Sequence, residues 1–217
     1  MGELNLLLKI RNMFVGHIKD NVNSYMFLVM AFVVGVSTGA FTVNGLSAVQ
    51  RDELLNYFQG FMQLLSNQKI DSNELLKIAL YENIRIIVVI WVLGVTIIGI
   101  PLIFMLVGIR GFITGFSSGF VIEVMGFKGA IFTLFAMIPK EFVVIPCIIA
   151  LGVNGINFSL NIIKNKSIKN KTKETLRSRF LSYCAVTLFY TCFIFVGVII
   201  EAYVTPVFIR MFTPIII

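Results

Sequence analysis

The sequence contains few side chains of the kinds that perform hydrolytic or metal chemistry. Charged residues make up only 13% of the chain, and His17 is the single histidine. One histidine cannot supply the usual ligands of a zinc site, and the H-E-x-x-H pattern of zinc proteases does not occur. The three cysteines lie in apolar runs without metal-ligand spacing, so we expect buried packing rather than disulfides. A zinc enzyme and a disulfide-stapled fold are therefore both disfavoured.

Motifs for nucleotide binding and nucleophilic catalysis are also lacking. No phosphate-binding loop or dinucleotide fingerprint is present. The segment 115–119, Gly-Phe-Ser-Ser-Gly, matches G-x-S-x-G, but a nucleophile elbow needs a strand-to-helix turn and a nearby histidine. We interpret this match as chance, because it lies inside an apolar helical pattern. The sequence predicts no catalytic residue, no cofactor and no bound metal.

Apolar residues dominate what is present. They make up 58% of the 217 residues, and the mean hydropathy is +0.92. Roughly half apolar is typical of a soluble domain. Several runs approach the ~20 apolar residues that cross the hydrocarbon core of a bilayer, and the alternating pattern of a membrane β-barrel is absent. We therefore predict an all-α, polytopic transmembrane helical bundle, with residues 1–217 forming one integral membrane domain.

The apolar runs predict about five membrane spans. Pro101 is expected to kink the second span, and Arg110 to mark a short cytoplasmic turn before the third. A charged break at 138–141 interrupts the long run that follows, which predicts a broken or re-entrant segment near Pro139. The predicted spans cover residues 24–43, 86–107, 111–125, 142–160 and 181–200.

Three polar or amphipathic segments lie outside these spans. Residues 1–23 have apolar side chains at helical spacing with bases between them, which predicts an amphipathic segment on the cytoplasmic leaflet. Residues 44–85 divide into two short helical patterns and predict an extracytoplasmic helical hairpin. Residues 164–179 are strongly basic, so the positive-inside rule places them, and the N-terminus, in the cytoplasm. This basic loop predicts contact with membrane lipid rather than nucleic acid.

A stripe of small residues marks the centre of the predicted bundle. Gly111, Gly115, Gly119 and Glu123 recur every four residues and so share one helix face. Glycine is unfavourable in a helix by about 1 kcal/mol relative to alanine, and in membranes such stripes let two backbones approach closely. The partner helix can belong to the same chain or to a second copy, so a homodimer stays open. Glu123 is either a structural residue or an active one.

Two charges in the predicted break raise a similar question. Lys140 and Glu141 can pair with each other or with Glu123, or can be hydrated at the interface. Acids and bases at membrane depth are costly and usually mark functional pathways or buried pairs. We therefore treat these three residues as buried polar candidates.

The hairpin and the tail supply the candidate partner contacts. The first hairpin helix carries an apolar face that either rests on the membrane or docks a partner domain. The tail after the last span begins with an acid and an interfacial tyrosine. The candidate contact residues are Leu54, Phe58, Phe61, Leu65, Glu201 and Tyr203.

The order and spacing of several short motifs resemble the stage II sporulation protein M family, over nearly the whole chain. The motifs are Val43-Asn44, Trp91-Val-Leu-Gly94, Ile98-Gly99-Ile-Pro101, the glycine stripe, Met125-Gly126, the Pro139 and Pro146 pair, and Glu201-Ala-Tyr203-x-x-Pro206. The resemblance implies a five-span protein of the mother-cell membrane at the sporulation septum, required for engulfment of the forespore.

The resemblance also implies partners, namely stage II sporulation proteins D and P, which cleave peptidoglycan. In the wider superfamily the proline pair is often accompanied by a His-Gly and a Glu. This chain has Lys140-Glu141 and Val144 at the corresponding positions. This departure argues against a chemical activity at the proline pair.

Two functions are compatible with these observations. The first is a non-enzymatic membrane scaffold that anchors and localises peptidoglycan hydrolases during engulfment. The second is a small membrane transporter or channel that uses Glu123 with Lys140 or Glu141. The internal repeat that many transporters carry is not evident in the sequence.

Overall fold

The computed structural model describes residues 18–19, 21–67, 72–166 and 173–216, and these are helical apart from short turns. The predicted all-α bundle is confirmed, and no strand occurs in the described ranges. Most of the predicted N-terminal amphipathic segment and residues 167–172 of the basic loop lie outside the described residues. The elements are α1 (Val22–Asn44), α2 (Ala48–Asn67), α3 (Ser72–Gly94), α4 (Gly99–Met125), α5 (Phe127–Phe132), a π-helix (Thr133–Met137), α6 (Ile138–Lys166) and α7 (Lys173–Ile216).

Four helical stretches in the described residues are long and apolar enough to cross a membrane, against about five predicted. The difference lies in α3, whose first half carries charged residues while its second half packs into the bundle through buried Ile87 and Ile90. The four stretches are Val22–Asn44, Gly99–Met125, Phe127–Ile163 and Arg177–Val207.

The boundary between the second and third predicted spans was wrong. The chain turns at residues 95–98, and α4 then continues without interruption through Arg110. Pro101 therefore lies in the first turn of α4 and does not kink a helix. The first backbone N–H groups of a helix have no intrahelical acceptor, so proline is well tolerated there. Because the chain turns only at residues 95–98, the second hairpin helix continues into the apolar residues that were assigned to the second span. It is therefore longer than predicted and enters the bundle as α3.

The predicted break near Pro139 was also wrong. The chain stays helical, and the Ile138 N–H bonds to the Thr133 carbonyl, five residues back, within the π-helix. The ring of a proline clashes with the carbonyl four residues earlier in a regular α-helix, here that of Phe135. A wider turn at this point separates the two groups while leaving the helix continuous. Pro139 does coincide with a departure from regular α-helix, but this departure is a π-helical turn and not a break in the helix.

The helices of the bundle alternate in direction. Phe32 and Val36 of α1 lie opposite Gly111 and Gly115 of α4, so these two helices are parallel. Contacts between α4 and α6, between α6 and α7, and between α3 and α7 pair rising residue numbers with falling ones, so those helices are antiparallel. As a result α1 begins on the side of the bundle where α6 ends, and the α2 hairpin lies on the opposite side.

The main core is formed where α3, α4, α6 and α7 meet, with α1 against α4. Its fully buried side chains are apolar and come from every one of these helices. A smaller cluster of buried side chains lies near the C-terminal end of α4, between α4 and the π-helix. Representative main-core residues are Leu28, Ile90, Ile103, Val107, Val144, Leu151, Val153 and Ile194.

Candidate functional site

The glycine stripe of α4 packs against α1 of the same chain. A Cβ atom at Gly111 or Gly115 would overlap the carbonyl oxygen of Phe32 or Val36, and one at Gly119 would lie 3.2 Å from the Cα of Ala40. Gly35 and Gly39 of α1 meet the α4 backbone in the same way. The backbones can approach this closely only because both helices lack side chains at the contact. A second copy of the chain would therefore have to use another surface.

Glu123 lies at the C-terminal end of this stripe and fixes α2 to the bundle. Its Oε1 is 2.8 Å from Nη2 of Arg51, and both side chains are partly exposed. The ring of Phe58 stands edge-on to Phe120, with centroids 6.1 Å apart, and packs on the smaller core cluster. The first hairpin helix is thus joined to α4 by an ion pair and an aromatic contact, and it also contacts α7.

This docking orients the predicted contact face of α2 toward the bundle. Leu54 and Phe58 are half-buried, and Phe58 packs against α4 rather than facing solvent. The side chains of Phe61 and Leu65 lie outside the described part of the chain. In the sequence, an apolar face on a hairpin helix fits both docking to its own bundle and docking to a partner.

Four charges form a cluster inside the bundle, on α4, α6 and α7. Nη2 of Arg110 lies 3.1 Å from Oε1 of Glu141, and Nζ of Lys140 bonds to Oε1 of Glu201. From the sequence, we considered that Lys140 and Glu141 could pair with each other or with Glu123. They instead pair with Glu201 and Arg110, respectively. Arg110 is about 17 Å along the axis from the start of α4 and about 22 Å from its end, so it lies in the middle part of that helix.

The Arg110–Glu141 pair is incomplete. Arg110 Nε and Glu141 Oε2 are both buried and have no hydrogen-bond partner among the residues that the structure describes. A guanidinium can present two N–H groups to the two oxygens of a carboxylate, and here only one of the two bonds is made. The remaining polar atoms keep a desolvation cost of about 1–3 kcal/mol each. The cluster as a whole carries no net charge, which is what makes burial of four charges tolerable.

The π-helix makes a further polar contact with α7. The hydroxyl of Thr205 donates to the carbonyl of Ala136, at 3.2 Å. The hydroxyl of Thr133 is buried and makes no hydrogen bond within the described residues. Glu201 and Thr205 therefore both attach α7 to the segment around the π-helix.

Glu201 and Tyr203 were predicted as partner contacts. The carboxylate of Glu201 is already engaged by Lys140, whereas Tyr203 is half-exposed on the adjacent surface of α7. Only the tyrosine is thus left free to meet another molecule.

Sequence reasoning missed the bases that neutralise the acids. Arg110 was assigned to a turn, although a lone base between two apolar runs that join into one helix is the usual sign of a buried ion pair. Arg51 carried no such signal, because its pairing with Glu123 depends on how the hairpin folds back on α4. Thr205 was missed because the carbonyl that it binds lies in the unforeseen π-helix.

These features define the class: a multi-pass helical membrane protein with a helical hairpin docked at one end of its bundle and a neutral charge cluster inside it. A family model described as Stage II sporulation protein M matches residues 28–206. The chain belongs to this family and is a sporulation membrane protein. Comparisons with curated proteins and with solved structures found no match.

Proposed function

We propose that this protein is a non-enzymatic membrane scaffold of the engulfment machinery. It anchors peptidoglycan hydrolases, namely stage II sporulation proteins D and P, in the mother-cell membrane at the sporulation septum. The N-terminus and the basic loop face the cytoplasm, so the α2 hairpin faces the space that contains the cell wall. Family membership supports the sporulation role.

The observation that carries the proposal is the fixed position of α2. The Arg51–Glu123 ion pair and the Phe58–Phe120 contact hold this polar helix at the C-terminal ends of α1 and α4. A pre-organised surface lowers the entropy cost of binding a partner. In the bundle beneath, α1 and α4 pack backbone against backbone at their glycines. Such an arrangement supports holding a partner in one orientation at the membrane.

The direct test is affinity capture of the tagged, full-length chain from sporulating cells. We expect the two peptidoglycan-degrading partners to be recovered with the wild-type chain. A variant in which Ala48–Asn67 is replaced by a flexible linker of equal length should insert into the membrane but recover neither of them. Absence of both enzymes from the wild-type sample would overturn the proposal.

The charge cluster favours a second candidate, a small transporter or channel. Four charged groups inside a bundle are a recurrent feature of ion and proton pathways. Glu123 does not contribute, because it lies about 20 Å along α4 from Arg110 and pairs with Arg51. The remaining candidates are Lys140, Glu141 and their partners. If Glu141→Gln abolished sporulation while hydrolase recovery and folding stayed normal, this candidate would replace the scaffold.

A further inference from the structure

One face of α2 is exposed and unused by the bundle. Val49, Asp52, Glu53, Asn56 and Tyr57 recur at spacings of three and four residues and so line one side of the helix. All five are exposed, and Val49 and Tyr57 keep 68% and 77% of their surface accessible. We call this set the outer face of α2. It lies opposite the side that carries Leu54 and Phe58.

The outer face is held in place by contacts on the other side of the helix. Arg51 is bound to Glu123, and Phe58 to Phe120. At the start of α2, the Ser47 N–H donates to Oε1 of Gln50 and the Gln50 N–H donates to the Ser47 hydroxyl, which is a reciprocal cap. These contacts set where the helix begins and which side it turns toward the bundle, so the five side chains face away from the bundle.

The chemistry of the outer face is acidic and aromatic. Asp52 and Glu53 form no ion pair with any residue in the described ranges, whereas their neighbour Arg51 is already neutralised by Glu123. Tyr57 stands one turn further along the same side. Tyrosine provides a large contact area with a polar tip and is enriched among residues that dominate binding energy. Unpaired carboxylates beside it favour a partner with basic side chains, because complementary charge sets orientation and association rate.

We propose that the outer face of α2 binds a basic segment of an extracytoplasmic protein partner. Lysine or arginine side chains of that segment pair with Asp52 and Glu53, and an apolar or aromatic side chain packs between Val49 and Tyr57. This inference rests on the proposed scaffold function and specifies the contact by which the scaffold holds its partner. It reverses the choice of helix face made from the sequence.

Single substitutions in the tagged, full-length chain test the contact. Asp52→Lys, Glu53→Lys and Tyr57→Ala are each expected to lower recovery of the peptidoglycan-degrading partners from sporulating cells by about tenfold, roughly 1.4 kcal/mol. Glu74→Lys is the matched control, because Glu74 is an exposed acid on α3 and undergoes the same change of charge. The control should recover the partners at the wild-type level. Normal recovery by all three outer-face variants would overturn the inference and leave the scaffold function intact.

A chemical labelling experiment separates a protein partner from a lipid surface. Tyr57→Cys and Glu74→Cys are labelled with a membrane-impermeant maleimide in phospholipid vesicles, with the wild-type chain as background. We expect both positions to react in vesicles alone, and only Tyr57→Cys to be protected when the partners are added. Protection without partners would mean that lipid covers the face, and labelling unchanged by partners would mean that nothing docks there; either result overturns the inference. If the wild-type chain recovers no hydrolase, the scaffold proposal fails together with it.

Discussion

Nη2 of Arg110 lies 3.1 Å from Oε1 of Glu141, and this ion pair joins the middle of α4 to the first turn of α6. Their side chains are only 17% and 11% exposed. The adjacent Lys140–Glu201 pair joins α6 to α7. Three of the four apolar stretches that can cross the membrane are therefore linked by charges inside the bundle.

Removing one member of the central pair should destabilise the protein more than removing both. Arg110→Met leaves Glu141 buried without a counter-ion, which costs about 3–5 kcal/mol. The double variant Arg110→Met with Glu141→Met leaves no unpaired charge, so we expect a smaller loss. Thermal unfolding of the purified proteins in detergent measures both. If the double variant were as unstable as the single one, the loss of stability would not come from leaving Glu141 without a counter-ion.

The glycines of α4 should differ sharply in their tolerance of a methyl group. Gly115→Ala places a Cβ against the Val36 carbonyl, so α1 and α4 must separate, at a cost of about 1–3 kcal/mol. Gly108→Ala on the same helix meets its nearest atom, the Ala31 carbonyl oxygen, at 3.7 Å, an ordinary contact. It should be neutral or slightly stabilising. Equal unfolding temperatures for the two variants would contradict the close approach of these helices.

Two threonines around the π-helix should respond in opposite ways. Thr205→Val removes the hydroxyl that satisfies the Ala136 carbonyl, and we expect a loss of about 1–3 kcal/mol. Thr133→Val removes a buried hydroxyl without a partner and replaces it by a methyl group of similar size, so stability should hold or rise. The same unfolding assay compares them. Destabilisation by Thr133→Val alone would indicate that this hydroxyl has a partner.

The ion pair that tethers α2 should affect position more than stability. The side chain of Arg51 is 49% exposed, and a pair this exposed contributes at most about 1 kcal/mol. We expect Arg51→Ala to unfold near the wild-type temperature. It should nevertheless raise the rate at which a maleimide labels a cysteine substituted for Leu54, which faces the bundle. Unchanged labelling would mean that Phe58 and the contacts with α7 hold the helix without the ion pair.

The sequence allowed the helical membrane class to be predicted, because length and apolarity of a run decide whether it can span a bilayer. It also indicated that Gly111, Gly115 and Gly119 share one face. The direction of that face, toward α1 of the same chain, required the structure, since a stripe carries no information about its partner.

Helix ends were harder to predict than helix composition. Pro101 was expected to kink a helix and Pro139 to interrupt one, yet the first lies in a first helical turn and the second follows a π-helix. Both outcomes satisfy the same steric demand of the proline ring, and local sequence does not distinguish them. The ion pairs could not be predicted for a related reason. Arg51 and Arg110 find their acids through packing between helices that are distant in sequence.

In the proposed scaffold function, the α2 hairpin brings cell-wall hydrolases to the membrane. The most direct measurement is fluorescence microscopy of a tagged peptidoglycan-degrading partner in sporulating cells whose only copy of this protein has Ala48–Asn67 replaced by a linker of equal length. We expect the altered protein still to reach the septal membrane while the hydrolase becomes dispersed. A hydrolase that still accumulates at the septum in these cells would contradict it.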